Sequence, residues 1–297
     1  MKIIVSALLT LTLVSCSTTK KESSKTPQPL WVTSAELDRP ESSYYHSKTQ
    51  QIFVSNVAGS PTEKDGNGWI SIYDLNGNLV KAKWVSGLNA PKGLRAHGNH
   101  LWTTDIDTII KIDLNTGRIL KKIAVKGAKF LNDVAIDASG NVYVSDMLDN
   151  KIYKVSSDRA TVFKKGVETS APNGLYVMNY DLLVAAWGLP TDGFKTKVPG
   201  KLYKISLTTK VITEITTAPL GNLDGLELDN LGHFIVSDWM AGKVFYVTAD
   251  GKSTEILSGI AGSADIGYVP EKNMLIVPSM QESKLYAFDL SLLTGYD

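Results

Sequence analysis

The chain of 297 residues carries one cysteine, Cys16, and four histidines. Beyond Cys16 it therefore has no thiol for a disulfide, a thiolate-bound metal or nucleophilic catalysis. Neither sign of charge is in excess: 31 Lys and Arg stand against 30 Asp and Glu, a formal net charge of +1. Such mixed charges read as solvated surface and offer nucleic acid nothing to grip. The apolar run at residues 3–14 is too short to span a bilayer as a helix. No G-x-S-x-G elbow, P-loop, G-x-G-x-x-G fingerprint or H-E-x-x-H helix is present. What is left, with 43% hydrophobic residues, is an ordinary globular composition, long enough to bury a substantial core.

The apolar run follows Lys2 and has the charged start and short core of a secretory signal. It ends in Leu13-Val14-Ser15-Cys16, which resembles a bacterial lipobox, where small residues precede a cysteine that is acylated and becomes the new N-terminus. On this reading residues 1–15 are a lipoprotein signal peptide, Cys16 is the lipidation site, and residues 16–29 are a flexible tether rich in Ser, Thr, Lys and Pro. Each buried acyl methylene contributes about 0.8 kcal/mol, so several chains hold a soluble domain firmly at a membrane. Ser17 resembles a residue that permits sorting onward to an outer membrane. The expected location is the bacterial cell envelope, at an outer membrane facing periplasm or cell surface, with membrane contact through the anchor alone.

The remainder of the chain repeats itself. A small polar pair, an apolar run, a turn with Gly or Asn, and a second apolar run ending in V-S-D or a degenerate form of it recur six times, most plainly in LNDVAIDASGNVYVSDM at residues 131–147. The copies begin at Glu41, Lys92, Asn132, Asn173, Asp224 and Asp265, in steps of 51, 40, 41, 51 and 41 residues. Strands repeating at this period predict an all-β, six-bladed β-propeller of four-stranded blades over residues 30–297. Turns such as Asp137-Ala138-Ser139-Gly140 join the first two strands, and a third and a weaker fourth apolar run follow. The sixth copy has no room for a fourth strand. The strand-like LWVTSAEL at residues 30–37, standing before the first repeat, is predicted to pair as the outer strand of the last blade and cover its edge.

In such a meander the first strands all start on one face, at the mouth of the central channel. The two longer steps place their insertions, residues 58–68 and 188–200, on that same face. The residues at the strand starts are Glu41, Lys92, Asn132 with Asp133, Asn173, Asp224 and Asp265. Oxygen donors without sulfur or imidazole suit a hard cation, with Lys92 balancing charge; the same residue types also cap loops, and pattern alone leaves both open. Val57, Ile106, Met147, Trp187, Trp239 and Met280 end the second strands in register, and either line an apolar pocket or pack between blades. His46, His97, His100 and His233 fall in or beside turns on the opposite face.

Three of these segments carry a resemblance. Pro40-Glu41, APNGL at residues 171–175 and LDGLELD at residues 223–229 resemble the motifs of the senescence-marker-protein, gluconolactonase and luciferin-regenerating-enzyme family of regucalcin-like propellers, and the likeness extends over essentially the whole chain after the N-terminal segment. It implies Glu41, Asn173 and Asp224 as ligands of one divalent cation, calcium first, with magnesium, manganese or zinc as alternatives. Asn132-Asp133 resembles the family's N-D pair, whose Asn helps bind substrate or metal-bound water. Two features depart from the family: Ser42, Ser43, Tyr44 and Tyr45 follow Glu41 in place of Gly-Pro and a Trp, and Phe130 stands where sugar lactonases carry a substrate-binding Arg. The metal set is kept and the sugar-binding part is not.

The implied activity is hydrolysis of a lactone or related small ester by a monomer. Asp224 would act as ligand and base, Asp133 and Asp265 are further candidate bases, and Asn132, Trp187 and Trp239 would contact the small-molecule substrate. The rival expectation is a non-catalytic propeller that binds a ligand or an envelope protein on the same face.

Overall fold

A computed structural model describes residues 27–294 and arranges them as six four-stranded antiparallel blades around a channel. The expected signal segment, Cys16 and residues 17–26 of the tether lie outside the described residues. No helix among the described residues is long and apolar enough to cross a membrane. The innermost strands are Pro40–His46, Pro91–His97, Leu131–Ile136, Pro172–Met178, Leu223–Leu228 and Gly267–Val269. In blades one to five, strand order follows chain order. In blade six, Trp31–Thr33 is the outer strand, antiparallel to Lys284–Asp289 with Trp31 opposite Ala287 and Thr33 opposite Leu285. The N-terminal strand thus closes the last blade as the sequence predicts, although the strand itself spans three residues of the expected 30–37, with Leu30 N–H adding a bond to the Ala287 carbonyl (2.7 Å).

Six apolar clusters fill the six interfaces between neighbouring blades. Strand alternation explains the unbroken apolar run at Asp181–Ala186: Leu182, Val184 and Ala186 pack toward blade three, while Leu183 and Ala185 pack toward blade five. Each fully buried Leu, Ile or Val contributes roughly 1.5–3 kcal/mol, so the interfaces hold the ring.

The ring residues stand where they do because the inner strands begin irregularly. Glu41, Lys92, Asn132, Asn173 and Asp224 are each the second residue of an inner strand, and at each of them the pairing with the second strand slips register. Such bulges break the alternation of side chains and leave a backbone N–H unpaired. The V-S-D motif repairs this. Its serine accepts the orphaned N–H, as Ser55 Oγ does from Ser42 (3.0 Å), Ser145 Oγ from Asp133 (2.9 Å) and Ser237 Oγ from Gly225 (2.8 Å). Its aspartate holds the loop that enters the inner strand: Asp105 accepts the N–H groups of Asn89 and Ala90, and Asp146 those of Lys129 and Phe130.

Neighbouring inner strands also approach closely. A Cβ on Gly174 would lie 2.0 Å from the Asp224 carbonyl oxygen, and one on Gly225 would lie 2.4 Å from the Ile266 nitrogen. The glycines of the N-G-L and D-G-L motifs therefore have a packing reason of their own. Asp265 closes the circle without a regular strand, donating its N–H to the Glu41 carbonyl (2.8 Å) and accepting from Ser43 N–H (3.1 Å).

Two substitutions test this account in urea titrations. Trp31 donates its indole N–H to the Leu75 carbonyl (3.0 Å) and packs into the cluster between blades six and one, so Trp31→Ala should lower unfolding stability by about 2–4 kcal/mol; a change within about 0.5 kcal/mol would show that this strand does not hold the ring closed. Gly174→Ala should cost about 2–4 kcal/mol, and wild-type stability would refute the tight approach of blades four and five.

Candidate functional site

The five bulged starts converge on one cavity of about 220 Å³ at the channel mouth, lined by Glu41, Lys92, Asn132, Asn173 and Asp224. All five side chains are buried. Asn173 donates both amide hydrogens, one to the Leu223 carbonyl (3.1 Å) and one to Asp224 Oδ1 (3.0 Å). The Leu223 carbonyl has no hydrogen to give, which fixes the amide orientation and leaves the Asn173 oxygen as the free end. That oxygen and Glu41 Oε2 are buried acceptors without a hydrogen-bond partner.

Two carboxylates share this buried space. Burial, then the charge of Asp224, pushes the Glu41 carboxyl well above the usual range, with Lys92 opposing. Burial and the charge of Asp133 push Asp224 up to about 8, against the hydrogen bond from Asn173. Lys92 does not resolve the conflict by pairing. Its Nζ donates to the Ala90 and Pro61 carbonyls (3.0 and 3.2 Å) and stands 4.6 Å from the centre of the Phe130 ring. Burial lowers its pKa, with Glu41 and Asp105 opposing.

The donor set of Glu41, Asn173 and Asp224 fits a hard divalent cation: oxygen donors, no sulfur or imidazole, and two orphaned acceptors among them. Among the described residues no group of three or more His, Cys, Asp or Glu gathers in a way that could hold a metal ion; the set here is two carboxylates and an amide.

The other two acidic candidates lie outside the cavity lining. Asp133 is spent on the backbone, its Oδ2 accepting from Leu175 N–H and its Oδ1 from Val134 N–H (both 2.6 Å), which ties blade three to blade four. Burial pushes it up to about 6 although Arg95 opposes. Asp265 accepts from the Ser42 hydroxyl (2.6 Å), and its Oδ1 is buried without a partner. Asn132 lines the cavity while Asp133, held by two backbone N–H groups, does not.

The cavity wall is aromatic and thioether. Phe130, Met147, Trp187, Trp239 and Met280 all line it, so four of the six second-strand ends face the pocket, while Val57 and Ile106 pack beside Ala90 and Ala264. The longer insertion folds into a small hairpin, Pro190–Asp192 against Lys195–Thr196, which carries Phe194 over the mouth. The Trp187 indole donates to the Phe194 carbonyl (2.8 Å), and the Trp187 ring lies 6.1 Å from Trp239 and 6.0 Å from Phe194. Phe194, Pro61 and Arg39 also line the cavity and have no repeat position that would single them out. Phe194 could have been suspected only as the lone aromatic within the longer insertion.

No family model matches the sequence, and no curated protein matches it. Solved structures do. A gluconolactonase from Xanthomonas campestris superposes with a TM-score of 0.66 at 13% identity, covering 85% of this chain and 87% of that one. A streptogramin B lyase superposes with a TM-score of 0.60 at 13% identity, covering 86% and 96%. The virginiamycin B lyase of Staphylococcus aureus gives 0.60 at 16% identity, covering 88% and 98%. At these identities the likeness establishes a shared propeller architecture.

Proposed function

We propose that the protein is a divalent-cation-dependent hydrolase of a lactone or related small ester. The observation that carries this reading is the pair of unpartnered buried acceptors, Glu41 Oε2 and Asn173 Oδ1, beside Asp224 in one cavity. Glu41, Asn173 and Asp224 would hold the ion, calcium first. A cation there supplies the charge that polarises an acyl carbonyl and makes water acidic enough to attack it.

The chain's own residues do the rest. Asn173 fixes Asp224 through Oδ1, leaving the second carboxylate oxygen to take a proton from the attacking water and return it to the leaving alkoxide. Water adds to the carbonyl carbon, the ester C–O bond breaks, and a hydroxy acid results. Asn132 would orient the acyl group, and Trp187, Trp239 and Phe130 would exclude bulk water and hold an apolar body. The Phe130 wall speaks against a sugar.

The gluconolactonase among the structural neighbours supports the hydrolase reading over the lyase one. A histidine-to-alanine variant of virginiamycin B lyase is described as catalytically inactive, and here none of the four histidines lines the cavity. We further propose that Cys16 anchors the protein as a lipoprotein of the bacterial envelope, on the pattern of residues 13–17.

Stripping the protein with chelator and restoring calcium, magnesium, manganese or zinc, with a panel of apolar and sugar lactones, tests the activity. Apolar lactones should be turned over only with a cation, and Asp224→Ala should lower kcat/KM by at least about a hundredfold. Calcium at a hundred times its Kd should also stabilise wild type by about 2.7 kcal/mol and leave Glu41→Gln unmoved. Tight cation binding without turnover of any lactone would make this a ligand-binding propeller. In bacteria fed labelled palmitate, wild type should take up label and Cys16→Ser should not; equal labelling would refute the anchor.

A further inference from the structure

Lys92 is the single cation among the six ring positions. Its side chain is 1% exposed, and among the described residues no carboxylate forms an ion pair with it. An ammonium has three N–H donors. Two are used on the Ala90 and Pro61 carbonyls, and the nitrogen lines the cavity beside Phe130. Glu41 and Asp105 act on it only through space, so among the described residues its third N–H has no acceptor. Arg39, at the exposed rim, adds a second positive group to the same lining. Around them stand the rings of Phe130, Phe194, Trp187 and Trp239.

We propose that Lys92 is a specificity residue that selects ligands bearing a carboxylate on an aromatic or alkyl body. The third N–H of the ammonium takes the carboxylate, and the aromatic wall takes the body. This deepens the hydrolase reading by naming its substrate class, and it rests on that reading only for the reaction, not for the recognition. Were Lys92 only a staple holding the 58–68 insertion through Pro61, its removal would weaken every ligand alike.

The test is an equilibrium titration followed by the fluorescence of Trp187 and Trp239, with 4-phenylbutyrate and the matching neutral alcohol 4-phenylbutan-1-ol as probes. Each is run with calcium and with chelator, so that a carboxylate held by the cation is told apart from one held by Lys92. Wild type should bind the carboxylate at least tenfold more tightly than the alcohol in both conditions. Lys92→Met and Lys92→Gln should each lose at least tenfold for the carboxylate and less than twofold for the alcohol. Preference for the carboxylate only with calcium, equal affinity of wild type for the two probes, or equal loss of both in the variants would each overturn the proposal. The wild-type ratio needs no variant and decides even if both substitutions unfold the chain. Carboxylate selectivity without lactone turnover leaves the recognition standing and the hydrolase reading fallen; turnover without selectivity does the reverse.

Discussion

The close approach of neighbouring inner strands is the constraint from which the site follows. Packed with a glycine of one strand against the backbone of the next, as at Gly174 against Asp224, the strands leave no lateral room for a side chain. The strand starts meet this by bulging, and the bulge redirects Glu41, Lys92, Asn132, Asn173 and Asp224 to the channel mouth. Each bulge would leave a buried N–H without a partner, at about 1–3 kcal/mol apiece. The serine of the neighbouring V-S-D removes that penalty in blades one, three and five. Polar atoms are thus forced into a buried place by backbone geometry, and their chemistry is a consequence of that placement.

The two ends of the channel answer the same electrostatic problem differently. Toward the far face Glu227 pairs with Arg95 at 2.7 Å, both side chains largely buried, and the guanidinium lies between the rings of Tyr44 and Tyr176 at 5.4 and 5.5 Å. Charge there is neutralised within the chain, by a planar donor within cation–π reach of two tyrosine rings. At the near mouth Glu41 and Asp224 meet no such group, because the nearest cation is committed to two backbone carbonyls. Buried carboxylates without a close cation are costly in a folded protein unless protonated or offset from outside. The contrast marks the near mouth as the end where the chain leaves buried carboxylates without a cation bonded to them.

How much of this was legible in the sequence depends on whether a feature shares the repeat. Glu41, Asn173 and Asp224 hold equivalent phases in three copies, so recurrence alone brings them to one place, and the strand at Trp31 stands out because the sixth copy lacks its fourth. V-S-D is visible as a recurrence, but its purpose is not, since the groups it satisfies belong to irregular pairing that no periodicity reports. Asp133 has a persuasive phase, but its carboxylate is taken up by two backbone N–H groups, which no phase reports. The Arg95–Glu227 pair joins blades two and five across the channel, and Phe194 sits on an insertion outside the repeat; neither has a pattern to betray it.

The division between ring and insertions also bears on how such a site can change. Ring residues are locked by glycine contacts, serine acceptors and inter-blade packing, so a substitution there is felt by two blades at once. The hairpin that carries Phe194 meets the ring through few bonds, the Trp187 indole to the Phe194 carbonyl and the Asn222 amide to Thr196 and to the Trp187 carbonyl. A loop held at so few points can be lengthened or re-faced at little cost to the fold. Charge at the mouth is therefore set by the architecture, while the shape of what enters is set by an element the architecture barely constrains. Phe130 belongs to the first category by position and to the second by contact, since its ring lies 4.6 Å from the Lys92 ammonium and 5.6 Å from the Phe194 ring; it joins the fixed charge to the adjustable wall.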